Sequence, residues 1–488
     1  MKVEKLLEQI SYIELFGSKH RNFNHITLDS RLAKEESLFV AIKGFKTDGH
    51  KYIDMAIEQG CKIIVHSEDV DKVSGVSYIE VKDSRSALAE ISKAFYNNPS
   101  GNMTVVGITG TNGKTTTTFM LESILNHAKI KTASIGSLGL KREDGVINFG
   151  KTTPEANILQ DTFSKLCEDD YRAVVMEVSS HALELKRVEG VDFDYGAFTN
   201  LTYEHLELHG SMENYYNTKK KLFFMTKREN FINVDDQYGK RLYEELKENY
   251  VPVISYGMSE GCEIVGEIRE MNIDHSTFIY REGDKEIELT LPMAGKYNIY
   301  NALCAVAIAI RMGVPIGDIK EGLRNFETPE GRYEVVENDK NLNLIIDFAH
   351  TSDGMRSIIS SVKESFDKNC IVVFGVSGAR TPETQEEIGR VVGENADYSI
   401  ITMDDEVEMP IGEVSKNIIR GMEESKGKYE YIEDRPRAIQ KAIEMATEDD
   451  VILFLGKGNE KFIKRLEGKK DDYDEKREVL KALKKIRD

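Results

Sequence analysis

The chain has 488 residues, 40% of them hydrophobic and 31% charged, which is enough to bury more than one core, and we expect three domains. A formal net charge of −19 argues against nucleic acid as a partner. The five cysteines are widely spread, without metal-ligand spacing, and no apolar run is long enough to span a bilayer. We therefore expect a cytoplasmic protein without membrane insertion. We also expect a monomer.

The first predicted domain, residues 1–99, is a small α/β unit. It begins with an amphipathic helix over Met1–Ile10 and closes at the turn formers Asn97–Asn102. Two short segments, Asp29–Arg31 and Asp48–His50, have the composition of turns. Three apolar runs predict strands: Ser37–Ile42, Lys62–His66 and Val76–Val81.

The second predicted domain, residues 100–328, opens with the most informative segment of the chain. A strand over Met103–Ile108 leads through a glycine-rich loop to a helix that is expected from Thr117. Such a loop lets backbone N–H groups approach the phosphates of a nucleotide, with Lys114 on the outer phosphates. The strict pattern needs glycine where Ile108 stands, so the loop is a variant. The alternative is an ordinary glycine turn before a helix.

The rest of this domain contains further strands and one candidate metal ligand. Glu177 lies near the end of a predicted strand, where its carboxylate would reach a Mg²⁺ ion held by the loop. The alternative is that this segment caps a helix, through Ser179 or Ser180, and the two roles are compatible. The predicted elements are strands at Ala173–Val178, Tyr195–Thr199 and Asn230–Val234, antiparallel strands within residues 261–293, and a helix over Asn298–Met312.

Two polar clusters in this domain have plain structural explanations. His205 and His209 are four residues apart, but no third ligand with suitable spacing completes a zinc site. The run Lys219–Lys221, taken by itself, is more typical of a solvated surface than of a site.

The third predicted domain, residues 329–488, alternates strands with helices and therefore predicts a parallel sheet. Its tail from Lys469 is charged and is expected to be solvated. Polar residues follow four strands, and although each could be a turn, together they favour a site at the carboxyl edge of the sheet. The strands are Leu342–Asp347, Cys370–Gly375, Tyr398–Met403 and Val451–Gly456, and the polar segments are Asp347–His350, Gly375–Arg380, Met403–Glu406 and Gly456–Glu460.

Taken together, these motifs resemble the Mur ligase family in order and spacing over nearly the whole chain. The loop Thr109–Thr116 resembles the family's phosphate loop, which accounts for the variant pattern. The other matching segments are Leu28–Arg31, Leu38–Ala41, Asp48–His50, Thr152–Pro154, Glu177–His181, Asn200–Thr202 with His205, His209–Glu213, Gly295 with Asn298 and Asn301, Glu330–Arg332 and Asp347–His350.

The resemblance implies three α/β domains: a UDP-binding domain, a central P-loop ATPase-like domain with a parallel sheet, and a C-terminal Rossmann-like domain. It implies an ADP-forming amide ligase that uses ATP and Mg²⁺ to join a free amino acid to UDP-N-acetylmuramoyl-dipeptide in peptidoglycan synthesis, and so serves cell wall biogenesis, cell shape and cell division.

The resemblance also implies roles for individual residues. ATP contacts are expected at Gly110, Thr111, Asn112, Gly113, Lys114, Thr115, Thr116, Asn301, Arg332 and Asp347. Metal ligands are expected at Thr115, Glu177, His205 and Lys219, with Lys219 as a carbamate. Catalytic residues are expected at Lys114, Glu177, His205 and Lys219. Contacts to the UDP-muramoyl peptide are expected at Ser30, Thr152, Thr153, Ser179 and Arg187. Contacts to the amino acid are expected at Arg380, Asp404, Asp405, Gly456 and Glu460.

The sequence departs from the family pattern around the amino-acid site. Arg380 is kept, but the acids that flank it in the family are absent, and Asn459 stands where the family has histidine. Family members that add diaminopimelate carry Asp-Asn-Pro-Arg where this chain has Asp404–Val407. Valine cannot bind a distal carboxylate, and the acidic segment suits an ammonium group, so L-lysine or a similar diamino acid is expected.

Three alternatives remain open from the sequence. A relative of the main enzyme would add another amino acid in a secondary pathway. An impaired nucleotide-binding scaffold would form no amide bond, although the intact Lys114 and Glu177 weigh against it. A P-loop kinase is disfavoured by the context of the loop.

Overall fold

A computed structural model describes residues 1–44, 47–204, 206–366 and 368–485, and these form three α/β units in chain order. The first unit has a five-stranded sheet. Its strands are β1 (Glu14–Phe16), β2 (His25–Thr27), β3 (Ser37–Val40), β4 (Ile63–His66) and β5 (Ser77–Glu80), and its helices are α1 (Val3–Leu7), α2 (Ile53–Glu58) and α3 (Ser84–Phe95). The order is β1-β5-β4-β3-β2, with only the edge strand β1 antiparallel to its neighbour.

The predicted strands of this unit are present, and the two predicted turns each open a 3-10 turn. Asp29 accepts a hydrogen bond from the Arg31 backbone, and Asp48 accepts one from the His50 backbone. The N-terminal helix is shorter than expected. Within it only Val3 and Leu6 are fully buried, so packing supports little more than one helical turn.

The central unit is built on an eleven-stranded sheet. Its strands are β6 (Thr104–Thr109), β7 (Thr132–Gly136), β8 (Gly139–Arg142), β9 (Gly145–Ile147), β10 (Ala173–Glu177), β11 (Phe193–Phe198), β12 (Thr226–Asn233), β13 (Val253–Gly257), β14 (Ile264–Met271), β15 (Ser276–Glu282) and β16 (Lys285–Leu291). Its helices are α4 (Lys114–His127), α5 (Ala156–Glu168), α6 (Ser180–Glu184), α7 (Leu206–His209), α8 (Met212–Lys220), α9 (Gln237–Glu248), α10 (Lys296–Arg311) and α11 (Ile316–Arg324).

The topology of this sheet places a crevice beside the phosphate loop. The order is β16-β15-β14-β13-β12-β11-β6-β10-β7-β8-β9, and the strands from β13 to β7 run parallel. Strands β6 and β11 are neighbours in the sheet. After β6 the chain continues to β7, toward one edge of the sheet, and after β11 it continues to β12, toward the opposite edge. Ligands of parallel sheets bind where the connections diverge in this way. The antiparallel strands expected within residues 261–293 are β14 to β16.

Helix α4 begins earlier than the sequence suggested. It starts at Lys114 rather than Thr117, because Gly113 takes a positive φ of 85° and turns the chain directly into the helix. Lys114 and Thr115 therefore occupy the first helical turn, where free backbone N–H groups face the loop. The alanine-rich α10 packs against α4 and is buried along most of its length.

The C-terminal unit has a six-stranded sheet and a small hairpin. The sheet strands are β17 (Glu334–Val335), β18 (Asn343–Asp347), β19 (Asn369–Phe374), β20 (Tyr398–Ile401), β21 (Tyr429–Tyr431) and β22 (Asp450–Leu455), and the hairpin is β23 (Phe462–Lys464) with β24 (Lys470–Asp472). The helices are α12 (Ser352–Phe366), α13 (Pro382–Asn395), α14 (Ile411–Glu424), α15 (Arg435–Met445) and α16 (Glu475–Leu483).

The order of this sheet, β17-β18-β22-β19-β20-β21, brings the four polar strand ends side by side. Strand β22 returns between β18 and β19, and all strands except β17 run parallel. The carboxyl ends of β18, β22, β19 and β20 therefore form one continuous edge. The predicted parallel sheet is confirmed.

A buried ion pair fastens the C-terminal tail under this edge. Arg435 and Glu475 are both fully buried and form a double hydrogen bond, with Nη2 to Oε1 at 2.7 Å. Arg435 also donates to the carbonyl of Met403, two residues after the end of β20, and to that of Leu455, the last residue of β22. The expectation that the tail is a solvated face is thus wrong at Glu475, because a buried guanidinium requires a carboxylate partner.

The first and central units are joined by polar contacts. Asp192 of the central unit accepts hydrogen bonds from Lys93 and Asn98 of the first unit, at 2.8 Å each. The predicted boundaries at residues 99 and 328 fall between the sheets and stay predictions. Within the described residues, no helix has the length and apolar character needed to cross a membrane.

Candidate active site

The phosphate loop links β6 to α4 and is shaped by two glycines. Gly110 and Gly113 both have positive φ angles, 152° and 85°. A Cβ atom on Gly110 would lie 1.9 Å from Thr199 Oγ1, and one on Gly113 would lie 2.4 Å from Asn301 Oδ1. Only glycine fits at both positions, so the loop is held close to the neighbouring β11 and α10.

Two lysines converge on the carbonyl of Gly110. Lys114 Nζ donates to the Gly110 and Thr111 carbonyls at 2.9 and 2.8 Å, and Lys219 Nζ donates to Gly110 at 2.8 Å. Burial lowers the pKa of Lys114. Burial, reinforced by the neighbouring Lys114 ammonium, lowers the pKa of Lys219 well below its ordinary value. The side chain of Lys219 is therefore not part of a solvated lysine cluster, and the residue is only 2% exposed.

The expected metal ligands Thr115 and Glu177 lie together. The Thr115 hydroxyl donates to Glu177 Oε1 at 2.9 Å, and both residues are buried. The Ser137 backbone and hydroxyl donate to the same carboxylate at 2.9 and 3.2 Å. A hydroxyl beside a carboxylate is the kind of oxygen donor set that suits Mg²⁺, so these residues fit such an ion. The alternative role holds as well, because Ser179 caps α6 through Ala182.

A cavity of about 320 Å³ opens beside the loop, and the remaining nucleotide candidates line it. Arg332 lies over the ring of Phe348 at 4.4 Å, and its Nε atom is buried with no hydrogen-bond partner in the part of the chain that the structure describes. Asp347 accepts backbone hydrogen bonds from Tyr333 and Ala349, both at 2.7 Å. Burial raises the pKa of Asp347, and the Arg332 guanidinium opposes that rise.

Four of the expected peptide contacts form one cluster beside Glu177. Thr153 Oγ1 donates to the Glu177 carbonyl at 3.0 Å and lies 3.2 Å from Ser179 Oγ. Arg187 Nη1 donates to the Thr153 carbonyl at 3.1 Å. Thr152 Oγ1 lies 3.2 Å from the hydroxyl of Ser137.

Ser30, the fifth expected contact, is buried in the first unit, where its hydroxyl donates to Met55 Sδ at 3.3 Å. It is not joined to that cluster by any hydrogen bond that the structure describes.

The expected amino-acid contacts line a second cavity of about 540 Å³ at the carboxyl edge of the C-terminal sheet. Arg380 reaches across to the central unit, where its Nη2 donates to Glu204 Oε1 at 3.2 Å. Gly456 has a positive φ of 105°, and a Cβ there would lie 2.9 Å from an Asp404 carboxylate oxygen.

The acidic character expected of this region is balanced by the chain's own lysines. Lys457 is fully buried, and its Nζ lies 2.9 Å from Asp405 Oδ1, 2.5 Å from Glu460 Oε2 and 3.7 Å from Asp404 Oδ1. Burial by itself would lower the pKa of Lys457, but the three carboxylates outweigh burial and raise it. The carboxylates are therefore only partly available to an incoming ammonium group. Lys457 was not among the residues predicted to contact the amino acid, although it stands inside the Gly456–Glu460 segment.

The two cavities adjoin. Phe348 and His350, which follow β18, line both of them. His350 Nε2 also lies 3.4 Å from Glu204 Oε1. A phosphate at the first cavity and an amino acid in the second would therefore meet near these residues.

One expected residue cannot be placed, and others were missed. His205 lies outside the described residues, whereas His209 is buried and stacks on Tyr215 with ring centroids 5.0 Å apart. Sequence reasoning overlooked Ser137, because an isolated serine after a strand has no distinctive pattern. It also overlooked Glu204, although Glu204 stands directly before a singled-out histidine.

Comparison with known proteins decides the family. Family models match in chain order: the Mur ligase family catalytic domain at residues 22–96, the middle domain at 108–309 and the glutamate ligase domain at 331–458. A relative from Caldanaerobacter subterraneus subsp. tengcongensis, named UDP-N-acetylmuramoyl-L-alanyl-D-glutamate--2,6-diaminopimelate ligase, is 38% identical over 99% of each chain. The chain belongs to the Mur ligase family.

Solved structures of Mur ligases share the fold. A structure of a UDP-N-acetylmuramoyl-L-alanyl-D-glutamate--2,6-diaminopimelate ligase matches with a TM-score of 0.72 at 21% identity, covering 99% of each chain. MurF ligase from Thermotoga maritima in complex with ADP matches with a TM-score of 0.61 at 20% identity, covering 94% of this chain and 97% of that one. The predicted family, the three-part α/β fold and the ligase class are confirmed.

Proposed function

We propose that this Mur ligase joins a diamino acid to the D-glutamate carboxylate of UDP-N-acetylmuramoyl-L-alanyl-D-glutamate, with ATP converted to ADP and phosphate. The name of the Caldanaerobacter relative supports this substrate and the diaminopimelate class of acceptor. The observation that carries the proposal is the adjoining pair of cavities, one beside the phosphate loop and one at the C-terminal sheet, with Phe348 and His350 in the wall of both.

The chemistry follows from the poor reactivity of a carboxylate toward amines. The terminal phosphoryl group of ATP passes to a carboxylate oxygen, which yields ADP and an acyl phosphate. The amine then attacks the carbonyl carbon, the bond to the phosphate oxygen breaks, and inorganic phosphate leaves as the amine loses a proton. Lys114 and Arg332 would neutralise charge on the phosphates, and the protein's main contribution is positioning.

Mg²⁺ and a carbamate on Lys219 belong to the same proposal. The oxygen pair of Thr115 and Glu177 would hold the ion, which would neutralise phosphate charge. Lys219 suits carbamate formation because only a neutral amine attacks CO₂, and burial keeps the pKa of this amine low. The buried Nε of Arg332 supports a phosphate contact, since a buried donor needs a partner.

The remaining candidate residues take roles by position. Thr152, Thr153, Ser179 and Arg187 would bind the peptide, since they surround Glu177 at the edge of the phosphate loop. Ser30 would contact the UDP group from the first unit. Arg380 would bind the acceptor's α-carboxylate, and Glu460 with Asp404 its distal ammonium group.

The test is release of phosphate by the purified enzyme with ATP, Mg²⁺ and UDP-N-acetylmuramoyl-dipeptide, with and without each amino acid of a panel. We expect release only when a diamino acid is present, together with a product of the corresponding mass. If no amino acid stimulates release, the protein is a nucleotide-binding scaffold. If an amino acid with one amino group is used best, the protein is a ligase of another pathway.

A further inference from the structure

Lys464, at the end of β23, places a second cation in the acceptor cavity. It is one of the residues that line the cavity, and its side chain is 40% exposed. Its Nζ lies 3.0 Å from Asp405 Oδ2, and its backbone N–H donates to Asp405 Oδ1 at 2.9 Å. The contact with Asp405 holds the lysine at the cavity wall, where its side chain stays partly exposed.

Asp405 has a second ammonium partner. Lys457 contacts its Oδ1 atom from behind the cavity and is fully buried. Lys457 is therefore paired with carboxylates of the protein itself, whereas the partly exposed Lys464 lines the space that a ligand would fill. An ammonium group has three N–H donors, so Lys464 can keep Asp405 and still bind a second carboxylate.

The cavity then carries two cations at its wall, Arg380 and Lys464, beside the carboxylates of Asp404 and Glu460. L-lysine has one carboxylate and would use only Arg380. 2,6-Diaminopimelate has a carboxylate at each end, so it would engage both cations and place its distal ammonium group near Glu460.

We propose that Lys464 binds the distal carboxylate of the acceptor and so selects 2,6-diaminopimelate over L-lysine. This rests on the proposed ligase function and revises the expectation drawn from Val407. A cation is indeed missing from the Asp404–Val407 segment, but β23 supplies one from another direction. Lysine is a point charge rather than a planar fork. The contact therefore recognises the charge of the distal carboxylate but fixes its orientation less than arginine would.

The experiment compares meso-diaminopimelate and L-lysine as acceptors for the wild-type enzyme and for Lys464→Met, Lys464→Arg and Lys469→Met. Lys469 is on the same segment, but its side chain is 77% exposed and pairs with Glu467. We expect the wild-type enzyme to prefer diaminopimelate. Loss of one charge-assisted contact should raise the KM for diaminopimelate about 10- to 100-fold in Lys464→Met, with kcat little changed.

In Lys464→Met, the KM for L-lysine should stay within about twofold of the wild-type value. In Lys464→Arg, the KM for diaminopimelate should return toward the wild-type value. In Lys469→Met, both KM values should match those of the wild type. A wild-type preference for L-lysine overturns the proposal, as does an equal loss with both acceptors, which would make Lys464 a structural partner of Asp405. If no amino acid stimulates phosphate release from the wild type, the ligase function itself fails and this proposal fails with it.

Discussion

Arg380 Nη2 donates a hydrogen bond to Glu204 Oε1 at 3.2 Å, and this contact joins the C-terminal unit to the central unit. A carboxylate of the protein thus already occupies the guanidinium that is expected to bind the acceptor's α-carboxylate. The acceptor would have to share the Arg380 guanidinium with Glu204 or displace Glu204 from it. Acceptor binding is therefore coupled to the contact between the C-terminal and central units.

Removal of this guanidinium should weaken acceptor binding selectively. For Arg380→Met we expect the acceptor KM to rise about 10- to 100-fold, since a contact between charged groups is lost. The KM values for ATP and the UDP substrate should change little. Steady-state kinetics with each substrate varied in turn would check this. Arg390→Met is the matched control, because Arg390 pairs only with the nearby Glu394 among the described residues. Equal changes in all three KM values would contradict the assigned role.

Glu177 should control the dependence on Mg²⁺. In Glu177→Gln, the loss of the carboxylate charge beside Thr115 should reduce metal affinity or activity by about 10- to 100-fold. The measurement is initial rate against Mg²⁺ concentration. Glu122→Gln removes another buried carboxylate, which lies on α4 and is held by Ser134 and Lys141, and should keep the wild-type Mg²⁺ curve. An unchanged curve in Glu177→Gln would rule out a metal role.

Asp192 should make stability depend on acidic pH. Burial by itself would raise its pKa, but hydrogen bonds from Lys93, Asn98 and Lys227 prevail and lower the pKa to about 2. Its stabilising contribution is therefore complete above its unfolded pKa of 3.8 and disappears as pH falls toward 2. Because the site is partly solvated, we expect Asp192→Asn to cost about 1 kcal/mol at pH 7.

The check is the difference in thermal unfolding midpoint between wild type and Asp192→Asn from pH 7 down to pH 3. The difference should be constant above pH 5 and shrink below pH 4. Asp472→Asn, which removes an exposed pair with Arg477, should show almost no difference at any pH. A gap that widens as pH falls would contradict the predicted sign.

Lys457 should be essential for the stability of the C-terminal unit. Lys457→Met removes the buried cation that Asp405 and Glu460 share. Because Lys464 still pairs with Asp405 and Glu460 is partly exposed, we expect the change to cost about 2–3 kcal/mol. Chemical denaturation followed by tyrosine fluorescence would measure it. Lys461→Met removes a half-exposed cation from a neighbouring position and should cost less than about 1 kcal/mol. Partial recovery in Lys457→Met with Asp405→Asn would show that unpaired charge is the cause.

Much of the architecture was predictable because local signals agree with the fold. Parallel strands are buried on both faces, so β10, β19 and β22 are continuous apolar runs that are visible in the sequence. The phosphate loop was predictable because glycine, lysine and threonine must follow one another in one segment. The start of α4 was misplaced, since only the positive φ of Gly113 shows where the helix begins.

The acceptor cavity was less predictable because its contacts join distant segments. The balance of charge at Asp405 depends on Lys457 and Lys464, which are 52 and 59 residues away in the chain. A count of acids near residue 405 therefore indicates an acidic site where the structure has mixed charges. The pairing of Arg380 with Glu204 spans 176 residues and leaves no trace in sequence spacing.

The buried pair of Arg435 and Glu475 links the C-terminal end of the chain to the strand ends beside the amino-acid cavity. A chain cut before residue 475 would keep every side chain of both cavities. It would also leave an uncompensated guanidinium beneath the strand ends that carry Asp404 and Gly456. Truncation before residue 475 should therefore weaken amino-acid binding, although no residue of that cavity is removed, while nucleotide binding in the central unit persists.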